Sequence, residues 1–121
     1  MAQEVKLVDK LKIRETVRRL VEMLVAGEYD GLEQASRGRR LTGEQLRQAI
    51  EEYSRELRMP PGAVFDDLDL NEIEGAITRA WWAVVDLWTV EEGRSDLTLE
   101  IRLIDTGGEH YDFEIDNLHV L

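Results

Sequence analysis

Residues 95–121 read SDLTLEIRLIDTGGEHYDFEIDNLHVL, and the reading of this stretch decides the fold. Leu97, Leu99, Ile101 and Leu103 recur at every second position, with Thr98, Glu100 and Arg102 between them. A strand sends alternate side chains to opposite faces, so one face here is apolar and the other wet. Ile104 ends the alternation. After Gly107-Gly108 it resumes, with Tyr111, Phe113 and Ile115 set against Asp112, Glu114 and Asp116. A Gly-Gly pair between two such runs predicts a turn, because glycine adopts positive φ without a Cβ clash. The apolar parity then changes from odd at Ile115 to even at Leu118 and Val120. A one-residue bulge near Asp116-Asn117 would keep all of them on one face; alternatively the strand ends at Asp116. A hairpin with one apolar face requires a covering layer.

That layer is predicted upstream. Ile13, Val17, Leu20, Val21 and Leu24 follow three- and four-residue spacing in a first helix over 5–26, with Leu7 and Leu11 extending the stripe. Gly27 is placed to end it. A short second helix is expected to be capped by Asp30 and to run through Leu32 and Ala35. Ser36-Arg37-Gly38-Arg39-Arg40 is the one basic cluster and reads as a loop; the overall charge disfavours an anion site there. Thr42 and Gln45 fit a capping box. The third helix follows, with Leu46, Ala49, Ile50, Tyr53 and Leu57 on one face, until Pro60-Pro61-Gly62 stops it.

The remaining segment supplies two more strands. Residues 63–75 alternate weakly through Leu68 and Leu70, as an edge or bulged strand would. In residues 79–90, RAWWAVVDLWTV, Trp81, Ala83, Val85 and Leu87 take one side, and Trp82, Val84, Asp86 and Trp88 the other. Such a strand is buried on both faces, or buried on one and adhesive on the other. Glu91-Glu92-Gly93-Arg94 closes it as a turn. The expected fold is therefore α+β, with three N-terminal helices packed on a curved four-stranded antiparallel sheet. At 121 residues the chain, 1–121, fits one domain.

Charge is the most unusual feature. The net charge is −11, and it is unevenly spread. Residues 1–61 hold 12 basic and 11 acidic side chains, and residues 62–121 hold 3 and 15. That balance argues against nucleic-acid binding, which depends on neutralising phosphates. It fits either ordinary solubility or an acidic face offered to a cationic protein partner. Hydrophobic content of 43% excludes wholesale disorder. Cysteine is absent, which removes disulfides and thiolate metal sites and fits a cytoplasmic location. No apolar run reaches the roughly 20 residues that span a bilayer.

The order of elements, ending in the strand YDFEIDNLHVL, resembles the NTF2-like (cystatin-like) superfamily. The resemblance is one of layout and covers the whole chain. It implies a curved sheet wrapped on a long first helix with a conical pocket. The segments GRRLTGEQLRQAIEEY, EEGRSDLTLEIRLID and YDFEIDNLHVL also resemble a small uncharacterised bacterial family. The superfamily holds isomerases, dehydratases and cyclases beside binding and immunity-type domains, so the fold alone selects no activity.

Candidate chemistry is sparse. Asp86 is the single charge in the aromatic run. Pointing inward, it would have its pKa raised by desolvation and mark a site; pointing outward, it is a surface carboxylate that keeps the sheet soluble. His119 could pair with Asp86 or Asp116 for general-base work, with Tyr53 as a further candidate. His110, beside the Gly-Gly turn, is expected to be exposed. Asp67-Leu68-Asp69-Leu70-Asn71 resembles the start of a calcium loop, but Glu72 replaces the required glycine and Thr78 the required glutamate, so an EF-hand is rejected. No metal site or cofactor is implied. Trp81, Trp82 and Trp88 cannot easily share one side of a strand, so at least one is expected to meet a ligand or a second subunit. The leading expectation is a non-catalytic cytoplasmic binding module, immunity- or inhibitor-like. It would use Trp81, Trp82 and Trp88 with Glu100, Asp112 and Glu114, and form a homodimer through the sheet. The alternative is a small pocket enzyme of the isomerase, dehydratase or cyclase type acting on an apolar molecule.

Overall fold

The computed structural model describes residues 7–120. The first helix, α1 (Leu7–Val25), buries Ile13, Val17, Leu20, Val21 and Leu24 as their spacing demands. Residues 5 and 6 of the expected helix lie outside the described residues. Leu7 and Leu11 do not extend the buried stripe: they are 73% and 58% exposed and border an open groove against the segment 65–70. The helix ends in a Schellman motif, in which the Glu28 amide donates to the Met23 carbonyl and the Gly27 amide to that of Leu24. Gly27 supplies the required left-handed residue at φ +74°.

The second helix, α2 (Tyr29–Ala35), starts earlier than a cap at Asp30 would allow. Its N-cap is Glu28, without a side-chain bond, and Asp30 sits in the first turn. A carboxylate there still meets the positive end of the helix dipole. The third helix, α3 (Gly43–Tyr53), has the expected capping box. The Gln45 amide donates to Thr42 Oγ1 at 3.2 Å, and the Thr42 amide to Gln45 Oε1 at 2.9 Å. It stops sooner than its apolar periodicity suggested, because Ser54 turns left-handed at φ 58°. Leu57 thus leaves the helix and enters a two-residue strand, β1 (Leu57–Arg58). After Pro60-Pro61, a single turn, α4 (Ala63–Asp66), buries Phe65 where extended chain was expected. The edge strand is confined to β2 (Asp69–Glu72).

The long strands are β3 (Ala80–Thr89), β4 (Gly93–Ile104) and β5 (Asp112–Val120). All pairings between strands are antiparallel, in the order β1-β3-β4-β5, with β2 also on β3. The sheet therefore has five strands rather than four. Since β4 takes one edge of β3, β1 and β2 share the other: β1 pairs with Trp88 and Thr89, and β2 with Trp81 to Val84.

Two irregularities shape the sheet. In β5 the register passes from Ile101↔Ile115 to Glu100↔Asn117, leaving Asp116 as the extra residue of a bulge. Leu118 is consequently buried with Ile115, while Val120, opposite Leu97, is 55% exposed. The second lies between Asp86↔Thr98 and Trp88↔Arg94. There the buried Ser95 hydroxyl donates to the Leu87 carbonyl at 2.7 Å and accepts from the Leu97 amide at 3.1 Å, repairing the interrupted ladder.

The inner face of the sheet carries Trp81, Ala83, Val85, Leu87, Leu97, Leu99, Ile101, Leu103, Tyr111 and Ile115, all buried in one core with Leu20 and Leu24. A polar clasp joins α1 to the sheet end. Tyr111 Oη donates to Asp9 Oδ1 at 2.9 Å, Arg79 reaches Asp9 Oδ2 at 3.2 Å, and the Tyr111 amide donates to Thr16 Oγ1. Burial, and then the bond to Asp9, raise the Tyr111 phenol above its ordinary range.

Candidate functional site

The sheet face turned away from the helices carries the polar set. Register places Asn71, Trp82, Arg102 and Glu114 in one row, Asp69, Val84, Glu100 and Asn117 in the next, and Asp86, Thr98 and His119 in a third. The three tryptophans divide as their spacing requires. Trp81 is fully buried in the core, with the Arg79 guanidinium over its ring at 5.0 Å. Trp82 and Trp88 are half-buried on the outer face. Arg58 lies 5.2 Å from the Trp88 ring centre, a cation–π contact across the β1–β3 pairing. The indole nitrogen of Trp88 is shielded from solvent and has no hydrogen-bond partner.

The carboxylates of this face fall into two groups. Asp112, Glu114 and Asp116 form an alternating ladder along β5, and the basic loop lies beside it. Arg37 is 3.7 Å from Asp112, Arg39 is 3.1 Å from Glu114, and Arg40 is 3.4 Å from Asp116. Glu100 faces His119 Nε2 at 3.0 Å. The cluster SRGRR, read from the sequence as a loop, is thus a counter-charge to its own chain. The Asp116 side chain is only 8% exposed. Burial raises its pKa, and Arg102 and Arg40 oppose that rise.

The second group is Asp67, Asp69 and Asp86. Among the described residues none of these is in an ion pair; Asp69 accepts from Asn71, and Asp86 from Thr98 Oγ1 at 3.4 Å. With Ala63, Val64, Leu68, Val84, Trp88 and Arg94 they line an open groove of about 430 Å³. Sequence reasoning named Asp86 and Trp88 but missed that α4 and β2 bring Asp67 and Asp69 beside them. The signal was the Asp67–Asp69 run, whose spacing suggests cation binding by Asp66, Asp67 and Asp69 rather than a place beside Asp86.

The three catalytic candidates do not meet. Asp86 and His119 are on the outer face, in the orientation that makes Asp86 a surface carboxylate. The carboxylate at His119 is Glu100 rather than Asp86 or Asp116. Tyr53 packs with the helical layer, and its hydroxyl donates to Glu92 at 2.9 Å, at the β3–β4 turn. Burial and then Glu92 raise the Tyr53 phenol. Among the described residues, no group of three or more His, Asp or Glu is arranged to hold a metal ion, and no helix is long and apolar enough to cross a membrane.

The architecture and this open polar face define an α+β protein with N-terminal helices on an open antiparallel sheet. A family model described as a domain of unknown function (DUF7668) matches residues 21–121, and the chain belongs to that family. No curated protein and no solved structure matches the chain.

Proposed function

We propose that this protein is a non-catalytic, immunity- or inhibitor-like binding module that receives a cationic segment of a protein partner on the outer face of its sheet. The observation that carries the reading is the groove of Asp67, Asp69, Asp86, Val84 and Trp88: three carboxylates that form no ion pair among the described residues, beside apolar surface. An arginine or lysine from a partner would find charge for its head and apolar surface from Val64, Leu68, Val84 and the part of Trp88 that Arg58 leaves uncovered for its stem. Arg94 on the same wall offsets only part of that charge. Glu100, Asp112 and Glu114, already paired within the chain, add long-range field more than contact.

The tightly filled inner face supports the same reading, because the space that a conical pocket would take holds Trp81, Ile101 and Leu103 at 0% exposure. The 19-residue α1 against that face is the feature that supports an NTF2-like layout. A homodimer through the outer face is the second occupant, favoured by half-buried Trp82, Val84 and Trp88 lying together. It sets two chains of net charge −11 against each other.

The experiment compares two triple variants in affinity capture, followed by the kinetics of each captured protein at rising salt. Asp67→Asn/Asp69→Asn/Asp86→Asn is expected to abolish capture of a basic partner. Glu100→Gln/Asp112→Asn/Glu114→Gln is expected only to slow its association. Capture that survives the first triple refutes the groove, and a chain that sediments as a dimer through Trp82 and Trp88 gives the face to a second copy.

A further inference from the structure

The outer edge of β5 is occupied by the chain's own basic loop in a way that fits a replaceable ligand. The loop is anchored at both ends. Ser36 is buried and bonded to Leu32 and Glu33, and Thr42 is locked in the α3 capping box. Between those anchors it touches β5 through one backbone bridge, Arg40↔Ile115, and through the pairs of Arg37, Arg39 and Arg40 with Asp112, Glu114 and Asp116. The three arginine side chains are 54–68% exposed; the Arg37–Asp112 pair is exposed on both sides and of the kind that holds weakly, whereas Glu114 and Asp116 lie buried beneath Arg39 and Arg40 and need a cation in place. Arg37 and Arg40 both sit at left-handed φ, 60° and 69°, which arginine adopts at a cost. The ladder beneath is loosely held: the Asp116 side chain is more than nine-tenths buried, yet its Oδ1 makes no hydrogen bond and has Arg40 Nε at the ion-pair distance of 3.4 Å, while Arg102 stands 3.9 Å from its Oδ2 with its own Nε shielded and unbonded.

We propose that the β5 edge is a strand-addition site for an extended, basic segment of a partner protein, and that residues 37–40 occupy it in the free chain as an internal stand-in. The partner replaces the three arginines with its own alternating cations, and pairs its backbone along the nine residues of β5, where the loop makes one bridge. Until then the loop shields an edge that would otherwise invite unspecific pairing. Charge selects the occupant. A second copy would set Asp112, Glu114 and Asp116 against their own kind on a chain of net charge −11, whereas a basic strand meets complementary charge at all three. The groove of Asp67, Asp69 and Asp86 ends on β3, and β4 stands between it and this edge, so the inference rests on different residues from that reading.

The test uses a synthetic peptide of residues 36–42, SRGRRLT, as the basic segment, with the full chain as receptor. In the variant Arg37→Ser/Arg39→Ser/Arg40→Ser the tethered competitor is removed, so the peptide is expected to bind at least about tenfold tighter than to the wild type. Shifts are expected at the backbone amides of residues 112–120. Adding Asp112→Asn and Glu114→Gln to that variant is expected to abolish the binding. Equal affinity for variant and wild type, or shifts centred on Asp67, Asp69 and Asp86, overturns the proposal; the second result would still be compatible with the groove. Should the triple variant fail to fold, hydrogen exchange on the wild type decides. Amides of residues 37–41 are expected to open locally, well before those of Val85 and Ile101, and exchange only by global unfolding overturns the idea. A salt-sensitive wild-type dimer with protected β5 amides would assign the edge to a second copy and overturn it as well.

Discussion

Replacing Tyr111 with phenylalanine removes one atom from the clasp between α1 and the sheet. Tyr111 is 3% exposed, and its hydroxyl donates to Asp9 at 2.9 Å. A buried hydrogen bond to a carboxylate contributes about 1.5–3 kcal/mol. For 121 residues the unfolding entropy is about 0.25 kcal/mol/K. The expected loss is therefore about 6–12 °C in Tm, read by circular dichroism or calorimetry. The same substitution has a signature in alkali. Because the folded-state phenol is raised above its ordinary value of 10.0, the unfolded chain releases its proton first. The stability tied to the neutral phenol is then complete below pH 10 and is lost as pH rises above it. Tyr111→Phe should flatten that alkaline decline in part, with the remainder left by Tyr29 and Tyr53, whose phenols are also raised. A Tm drop under about 2 °C with an unchanged alkaline slope would refute the clasp as a source of stability.

Ile101→Asp places a charge at a position of 0% exposure, at a cost of several kcal/mol against a total of about 5–15, and should abolish the cooperative thermal transition. Thr42→Ala removes the α3 cap and should cost about 1 kcal/mol in urea unfolding, with the slope of the transition unchanged. For Asp116→Asn the sign is the reverse of a normal ion-paired acid. Burial raises the folded pKa above 3.8, so the wild type loses stability as pH rises from that value through the folded pKa, and is level beyond. Arg40 and Arg102 oppose the rise, and Glu114 and Glu100 add to it, so the stability gained by Asp116→Asn should grow across that interval in paired denaturation curves, and a gain independent of pH would exclude the mechanism.

The meander was legible because period-two patterning is a strong signal. Leu97 to Leu103 and Tyr111 to Ile115 placed their faces correctly, and the parity change at Leu118 located the Asp116 bulge. The errors lie where local and tertiary terms compete. Leu57 continues the α3 stripe, yet Ser54 ends the helix two turns before the prolines, and pairing with Thr89 claims Leu57. Leu7 and Leu11 keep helical spacing on turns that meet a groove instead of the core. The site was less legible. Asp86 was singled out, but its neighbours Asp67 and Asp69 arrive through β2–β3 pairing, and the arginines of residues 37–40 meet β5 across more than seventy residues. Sequence separation of that kind leaves no periodic trace.

The placement of the helices before the sheet also sets a timetable. Leu20 and Leu24 are made well before the sheet residues that share their core, from Trp81 through Leu118. At about 5–20 residues per second, the chain grows from Leu24 to Leu118 in about 5–20 s. During synthesis the apolar stripe of α1 therefore waits seconds for its partner, far longer than a helix takes to form. Arg18, bridged to Glu15 and Glu22 on the opposite face, can hold that turn together in the interval without help from the sheet. Until β4 and β5 have followed, that seam is left with α2, β1 and α4 as its partners, and its remaining apolar surface is open to chaperones or to aggregation.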